Sequence, residues 1–150
     1  MHVLALRTKA GAPMNPAVNL ILDWWPAEMK PNGSRSGAHA YYNKLAQEYR
    51  EAIRKVAHSE ALEQALRGGF TLPLPEPVHC RITFAVPTRQ ERDLDNCIAA
   101  WKHGQDGLVD AGILRSDSCW SLVSLTAVPL HVPTLKRPEV RVRLRGAALL

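Results

Sequence analysis

The chain has 150 residues, the size of one domain, and 46% of them are hydrophobic, so a real core is possible. Nineteen Lys and Arg against fourteen Asp and Glu leave a net charge of +5, which favours polyanionic partners without singling one out. Cys80, Cys97 and Cys119 are scattered with no CxxC pair, which argues against a disulfide framework and against zinc-finger spacing, and no run approaches the roughly 18 apolar residues of a membrane span.

Residues 1–16 are rich in Ala, Pro and Lys and read as an irregular leader, in which HVLAL could add a short strand. No sustained apolar core precedes the charges there, so a signal peptide is not expected, and the cytoplasm is the expected compartment. VNLILDWW (18–25) reads as a buried strand stopped by Pro26. Residues 26–39 follow as a basic loop with Lys30, Arg35 and His39.

From Tyr41 apolar residues recur at steps of three and four (Tyr42, Leu45, Ala46, Tyr49, Ile53, Val56, Ala57), which predicts a helix to Leu66 ended by Gly68-Gly69. Lys44, Arg50, Arg54 and Lys55 lie largely off that stripe and read as a solvated face. TLPLPEP (71–77) is a connector. Val78, Cys80, Ile82, Phe84 and Val86 alternate with His79, Arg81, Thr83 and Ala85, the mark of a strand, and Pro87 ends it. A charged loop with Arg89 and Arg92 leads into a helix from Asn96 to Ala111, with Gly112 as its C-cap. WSLVSLTAV (120–128) reads as a strand stopped by Pro129. In the last element Val140, Val142 and Leu144 alternate with Arg141, Arg143 and Arg145. The expected fold is α+β, a single domain over 1–150 in the order β-α-β-α-β-β, with two helices on one face of a small mixed sheet.

ERDLDNC (91–97) carries the chemistry. Asp93 and Asp95 fall after a strand and before a helix. Read as extended backbone they point the same way, roughly 6–7 Å apart at about 3.3 Å per residue. Two ionised carboxylates aimed at one point raise each other's pKa unless a cation sits between them. Mg²⁺ accepts one or two carboxylates and keeps several waters, and the helix N-terminus adds partial positive charge. The plainer reading is that Asp95 or Asn96 caps the helix. Asp117, in a loop after the helix, and the Lys102–Asp106 pair favour the metal. A helix of about 16 residues is roughly 24 Å long. Asp117 therefore meets Asp95 only if the chain turns back along the helix or a second subunit contributes.

RDLDN followed by a helix, then DGLVDAG, a short apolar turn and an Asp, resembles the RusA-type Holliday junction resolvases, small homodimeric endonucleases frequent in prophages. The match is strongest over about 92–117 and weaker over LILDWWP, the helix after it and VHCRITFAVP. The resemblance implies that Asp93, Asp95 and Asp117 are catalytic and hold Mg²⁺ (with Mn²⁺ as a substitute), and that Lys102 is the catalytic-site lysine. It implies symmetric paired nicks in branched DNA during recombination and repair, by a homodimer needing no nucleotide cofactor. Between Asn96 and Lys102 the chain carries about one extra helical turn relative to the shortest members. Ser116 stands where a second acid often precedes the last aspartate, and the usual PPS is absent from WWPAEMKPN.

On that reading Lys30, Arg35, Arg89, Arg92 and Asn96 contact DNA, each phosphate contact adding to the salt dependence of binding. The Arg141, Arg143, Arg145 row either tracks a backbone or keeps an edge strand soluble. His103, next to Lys102, reads as an exposed helix residue, and Trp24, Trp25, Trp101 and Trp120 as core or dimer-interface anchors. A binding module for branched DNA, with its aspartates as helix caps and no cleavage, is the alternative.

Overall fold

The computed structural model describes residues 15–23, 39–89 and 93–148. The leader strand HVLAL, Trp24 and Trp25 lie outside them. Six elements follow in the expected order: β1 (Ala17–Asp23), α1 (His39–Gly68), β2 (Val78–Val86), α2 (Leu94–Asp110), β3 (Leu122–His131) and β4 (Glu139–Arg145). The strands form one sheet in the order β1-β4-β2-β3. β4 is antiparallel to both its neighbours, whereas β2 and β3 run parallel and α2 connects them. Parallel neighbours need a crossover of a dozen or more residues, and α2 with its flanking loops supplies it.

Alternation decides which face of the sheet is covered. Val18, Leu20 and Leu22 of β1, Val78, Cys80, Ile82 and Phe84 of β2, and Val140, Val142 and Leu144 of β4 are all buried in one cluster. The same cluster takes Ala46, Tyr49, Ile53, Ala57 and Ala61 from α1, and Cys97, Trp101 and Leu108 from α2. Burying a side chain the size of Ile82 or Phe84 contributes about 1.5–3 kcal/mol each. The small residues of the α1 stripe let that helix lie close. At Gly107 the approach leaves no room for a side chain, since an added Cβ would stand 2.7 Å from the Arg50 carbonyl oxygen. α2 stops at Gly112, whose φ of +76° only glycine adopts freely, and Ile113 N–H donates back to Leu108 O at 3.2 Å.

Three expectations need correction. α2 begins at Leu94, two residues before Asn96. β3 begins at Leu122, leaving Trp120 in a turn, and continues through Pro129 to His131. A proline is tolerated there because β3 pairs only with β2, so the missing N–H falls on an edge strand. β4 is not an edge: it lies between β1 and β2 with both sides hydrogen-bonded. Trp101 is a core residue at 1% exposure, whereas Trp120 is 82% exposed. Among the described residues no helix is long and apolar enough to cross a membrane.

Candidate functional site

The early start of α2 changes the setting of the two aspartates. Asp93 is the N-cap, with extended backbone at φ −72° and ψ 125°, and Asp95 already lies in the first helical turn. The extended reading of the pair therefore fails at Asp95, because Leu94 has joined the helix. The capping reading of Asp95 or Asn96 fails too, since both lie inside the helix and the N-cap is Asp93, whose side chain makes no capping hydrogen bond. Its Oδ2 accepts from Asn96 Nδ2 at 3.3 Å, while Asp95 Oδ1 accepts from the Asn96 backbone N–H at 3.0 Å. Both carboxylates are thus gathered about Asn96. They are exposed, beside a helix end whose free N–H groups favour negative charge.

Along α2 the buried residues are Cys97, Ala100, Trp101, Gly104, Gly107 and Leu108. The solvent side presents Asp95, Ala99 and Lys102 at helical spacing, with Asp106 half-buried at its end. Lys102 lies seven residues from Asp95, about 10.5 Å along the axis and on nearly the same face. After Gly112 the chain does turn back beside the helix, and it brings Asp117 to Lys102. Lys102 Nζ donates to Asp106 Oδ1 at 2.6 Å and also to Asp117 Oδ2.

The network extends further than the motif. Arg50, from α1, forms a two-pronged pair with Asp110 at 2.5 and 2.8 Å and reaches Asp106 Oδ2 at 3.9 Å. Charges therefore alternate along one line: Asp117, Lys102, Asp106, Arg50, Asp110. The donated hydrogen bond from Lys102 holds the Asp117 carboxyl below its ordinary value. The Arg50 bond does the same for Asp110. For Lys102 burial pulls the amine down, but its bonds to Asp106 and Asp117 outweigh that and leave it raised.

His103 is half-buried rather than exposed. Its Nε2 lies 3.2 Å from the Tyr42 hydroxyl, and the two rings meet edge to face at 5.9 Å. Burial lowers its pKa. Arg50, read from sequence as part of a solvated face, joins the site through partners some sixty positions away. Nothing local to residues 41–57 marks it, and only the packing of α1 on α2 does. Arg89 is exposed just after β2. Lys30, Arg35 and Arg92 lie outside the described residues.

Among the described residues no group of three His, Cys, Asp or Glu side chains is placed to hold a metal ion. Asp93 and Asp95, joined through Asn96, suit a cation that keeps most of its water, as Mg²⁺ does. Asp117 does not join them within one chain, since Lys102 holds it about two turns away. The thiols offer no alternative centre. Cys80 and Cys97 are buried, with the Cys80 thiol pushed up to about 12 by burial, and Cys119 is exposed on its own loop. In comparisons with known proteins, no family model and no curated protein matches the chain.

Proposed function

We propose that the chain is a Mg²⁺-dependent endonuclease that nicks branched DNA at four-way junctions and works as a homodimer. The observation that carries this reading is the grouping on α2: Asp93 and Asp95 gathered about Asn96, Lys102 on the same side two turns on, and Asp117 folded back onto that lysine. These are the residues through which RDLDN and its sequel resemble the RusA-type resolvases.

When bound, Mg²⁺ would polarise the scissile phosphate and lower the pKa of the attacking water. Asp93 and Asp95 supply carboxylate oxygens for it, and Asn96 orients both. Lys102 offsets the charge that builds on the phosphate, exchanging a bond to Asp106 or Asp117 for one to a phosphate oxygen. Arg50 fixes Asp106 and, with Asp110, ties the base of this stripe to α1. Because Asp117 stays two turns from Asp95 in its own chain, the reading requires a second copy to bring it to a metal.

The pairing of copies draws support from exposed apolar residues on and beside the edge strand: Trp120, Val123 at 43%, Leu125 at 39% and Leu130 at 41%. Two symmetric nicks need two sites related by a two-fold axis, which a homodimer provides.

A second reading, a binding module without cleavage, is favoured by the Lys102–Asp117 pair, in which the aspartate already has a cation. One experiment separates them. A labelled four-way junction is incubated with the protein, with and without Mg²⁺. Metal-dependent symmetric nicks are expected, and Asp95→Asn should retain junction binding while losing nicking by roughly 100-fold or more. A mobility shift without cleavage under any divalent ion would leave the binding module standing.

A further inference from the structure

Among the described residues nothing covers the face of the sheet turned away from the helices, and that face is strongly cationic. Arg141, Arg143 and Arg145 rise from β4, and Arg81 and His79 rise beside them from β2. In the antiparallel register Arg81 stands directly opposite Arg143, and His79 opposite Arg145. Like charges directly opposite on a sheet are destabilising.

An acidic neighbour relieves the crowding only at Arg141. Arg141 pairs with Glu139 at 2.8 Å, and Arg143 donates to the neutral Asn19 Oδ1 at 3.3 Å. Among the described residues Arg81 and Arg145 have no acidic partner. Edge protection does not account for the row either, because β4 is an interior strand paired on both sides.

Two adjoining clefts lie on this face, of about 290 and 250 Å³, and both are lined by Arg81 and Arg143. The larger adds Ser124 and Thr126 from β3, with Ser124 Oγ 2.6 Å from His79 Nδ1. Neither cleft has a carboxylate, although the smaller adds the apolar Leu20, Ile21 and Val142. Apart from Cys80, the lining of the larger cleft is guanidinium, imidazole and hydroxyl. That is the chemistry of a phosphate site: planar guanidinium forks take phosphate oxygens two at a time, and hydroxyls donate to the remainder. Alternate residues of β4 stand about 6.6–6.8 Å apart, so the donors form a line rather than a single-ion cup.

We infer that this open sheet face is a second DNA-contact surface, on which Arg81, Arg143 and Arg145 hold successive phosphates of one DNA strand. It lies across the sheet from Asp93, Asp95 and Lys102, so the strand it holds is not the one those residues would cut in the same chain. The inference rests on the DNA ligand proposed above and not on the cleavage chemistry.

The test is binding of a labelled four-way junction with Ca²⁺ in place of Mg²⁺, followed by anisotropy over a salt series. The Arg81→Gln/Arg143→Gln variant should bind roughly 10- to 100-fold more weakly at 0.1 M salt. Its plot of log affinity against log salt should be shallower by about 1.8, two contacts at about 0.9 each. Arg81→Lys/Arg143→Lys should keep most of both. Arg145→Gln, at the end of the row, should lower the slope by about 0.9 and gives an independent result if the paired change disturbs the sheet. Wild-type affinity and slope in both Gln variants would overturn the inference. So would a change in sedimentation state at unchanged DNA affinity, which would give the face to a second copy. A wild-type chain that binds no junction overturns both proposals, whereas one that binds without nicking overturns only the catalytic reading.

Discussion

Lys102 sets one positive charge between two carboxylates, and its removal would leave Asp106 and Asp117 facing each other. The Asp117 carboxyl sits below its ordinary 3.8. Its contribution to stability is therefore complete above that value and is lost as pH falls through the lower folded value. The Lys102 amine sits above 10.5, so its contribution is complete below 10.5 and is lost as pH rises through the raised value. Both side chains are partly exposed, which keeps the effect small. Lys102→Met is expected to lower the melting temperature at pH 7 by about 1–3 °C and to flatten the acid limb of the stability curve, because the stabilisation of ionised Asp117 that acid removes is already gone. An unchanged acid limb would show the ion pair to be energetically idle.

His103 behaves in the opposite sense to a salt-bridged histidine. Burial keeps it neutral, so stability is complete above its ordinary 6.5 and declines as pH falls below that. His103→Gln should flatten the urea midpoint between pH 6.5 and 5, and a decline as steep as the wild type's would rule His103 out as its source. At this scale the sequence marked the aspartates and Lys102 as candidates, because RDLDN and the lysine-to-aspartate step are local patterns. Arg50 and Tyr42 escaped it because they join through the docking of one helix on another.

Elements were legible where alternation or helical spacing is strong. Residues 78–86 and 140–145 fall within a residue of their observed bounds, since each has a face with nothing polar on it. Pro129 misled, because a proline's effect depends on whether its strand has one neighbour or two, and that is a long-range property. The position of β4 was hidden for the same reason: its pairings with β1 and β2 all join residues more than fifty positions apart. The α1–α2 seam yields a sharper test. Gly107→Ala would gain about 1 kcal/mol of helix propensity. It would also push a methyl to within 2.7 Å of the Arg50 carbonyl, a backbone atom that cannot step aside. Overpacking of this kind costs about 1–3 kcal/mol, so the variant should be less stable in urea. Gly112→Ala, with open space around it but a φ of +76°, should also destabilise, through backbone strain alone.

For the molecule as a whole, the sheet separates two chemistries. One side presents carboxylates with a lysine, the other presents arginines with hydroxyls, so the cleavage proposal can fail while the DNA-contact proposal stands. Association of copies belongs to this scale. If the proposed homodimer pairs through β3, Val123→Glu/Leu125→Glu should shift sedimentation towards the monomer and abolish nicking. Retained dimerisation would move the interface elsewhere. The segment after α2 is fastened at two points: Leu74 N–H donates to Ile113 O at 2.9 Å, and Val78 N–H donates to Ser121 O at 2.8 Å. Asp117 is slung between these fastenings like the middle of a short bridge, so the number of residues in the span acts as a ruler. One residue inserted between Leu114 and Ser116 would leave sheet and helix intact yet slide Asp117 off Lys102, turning a matter of charge into a matter of length.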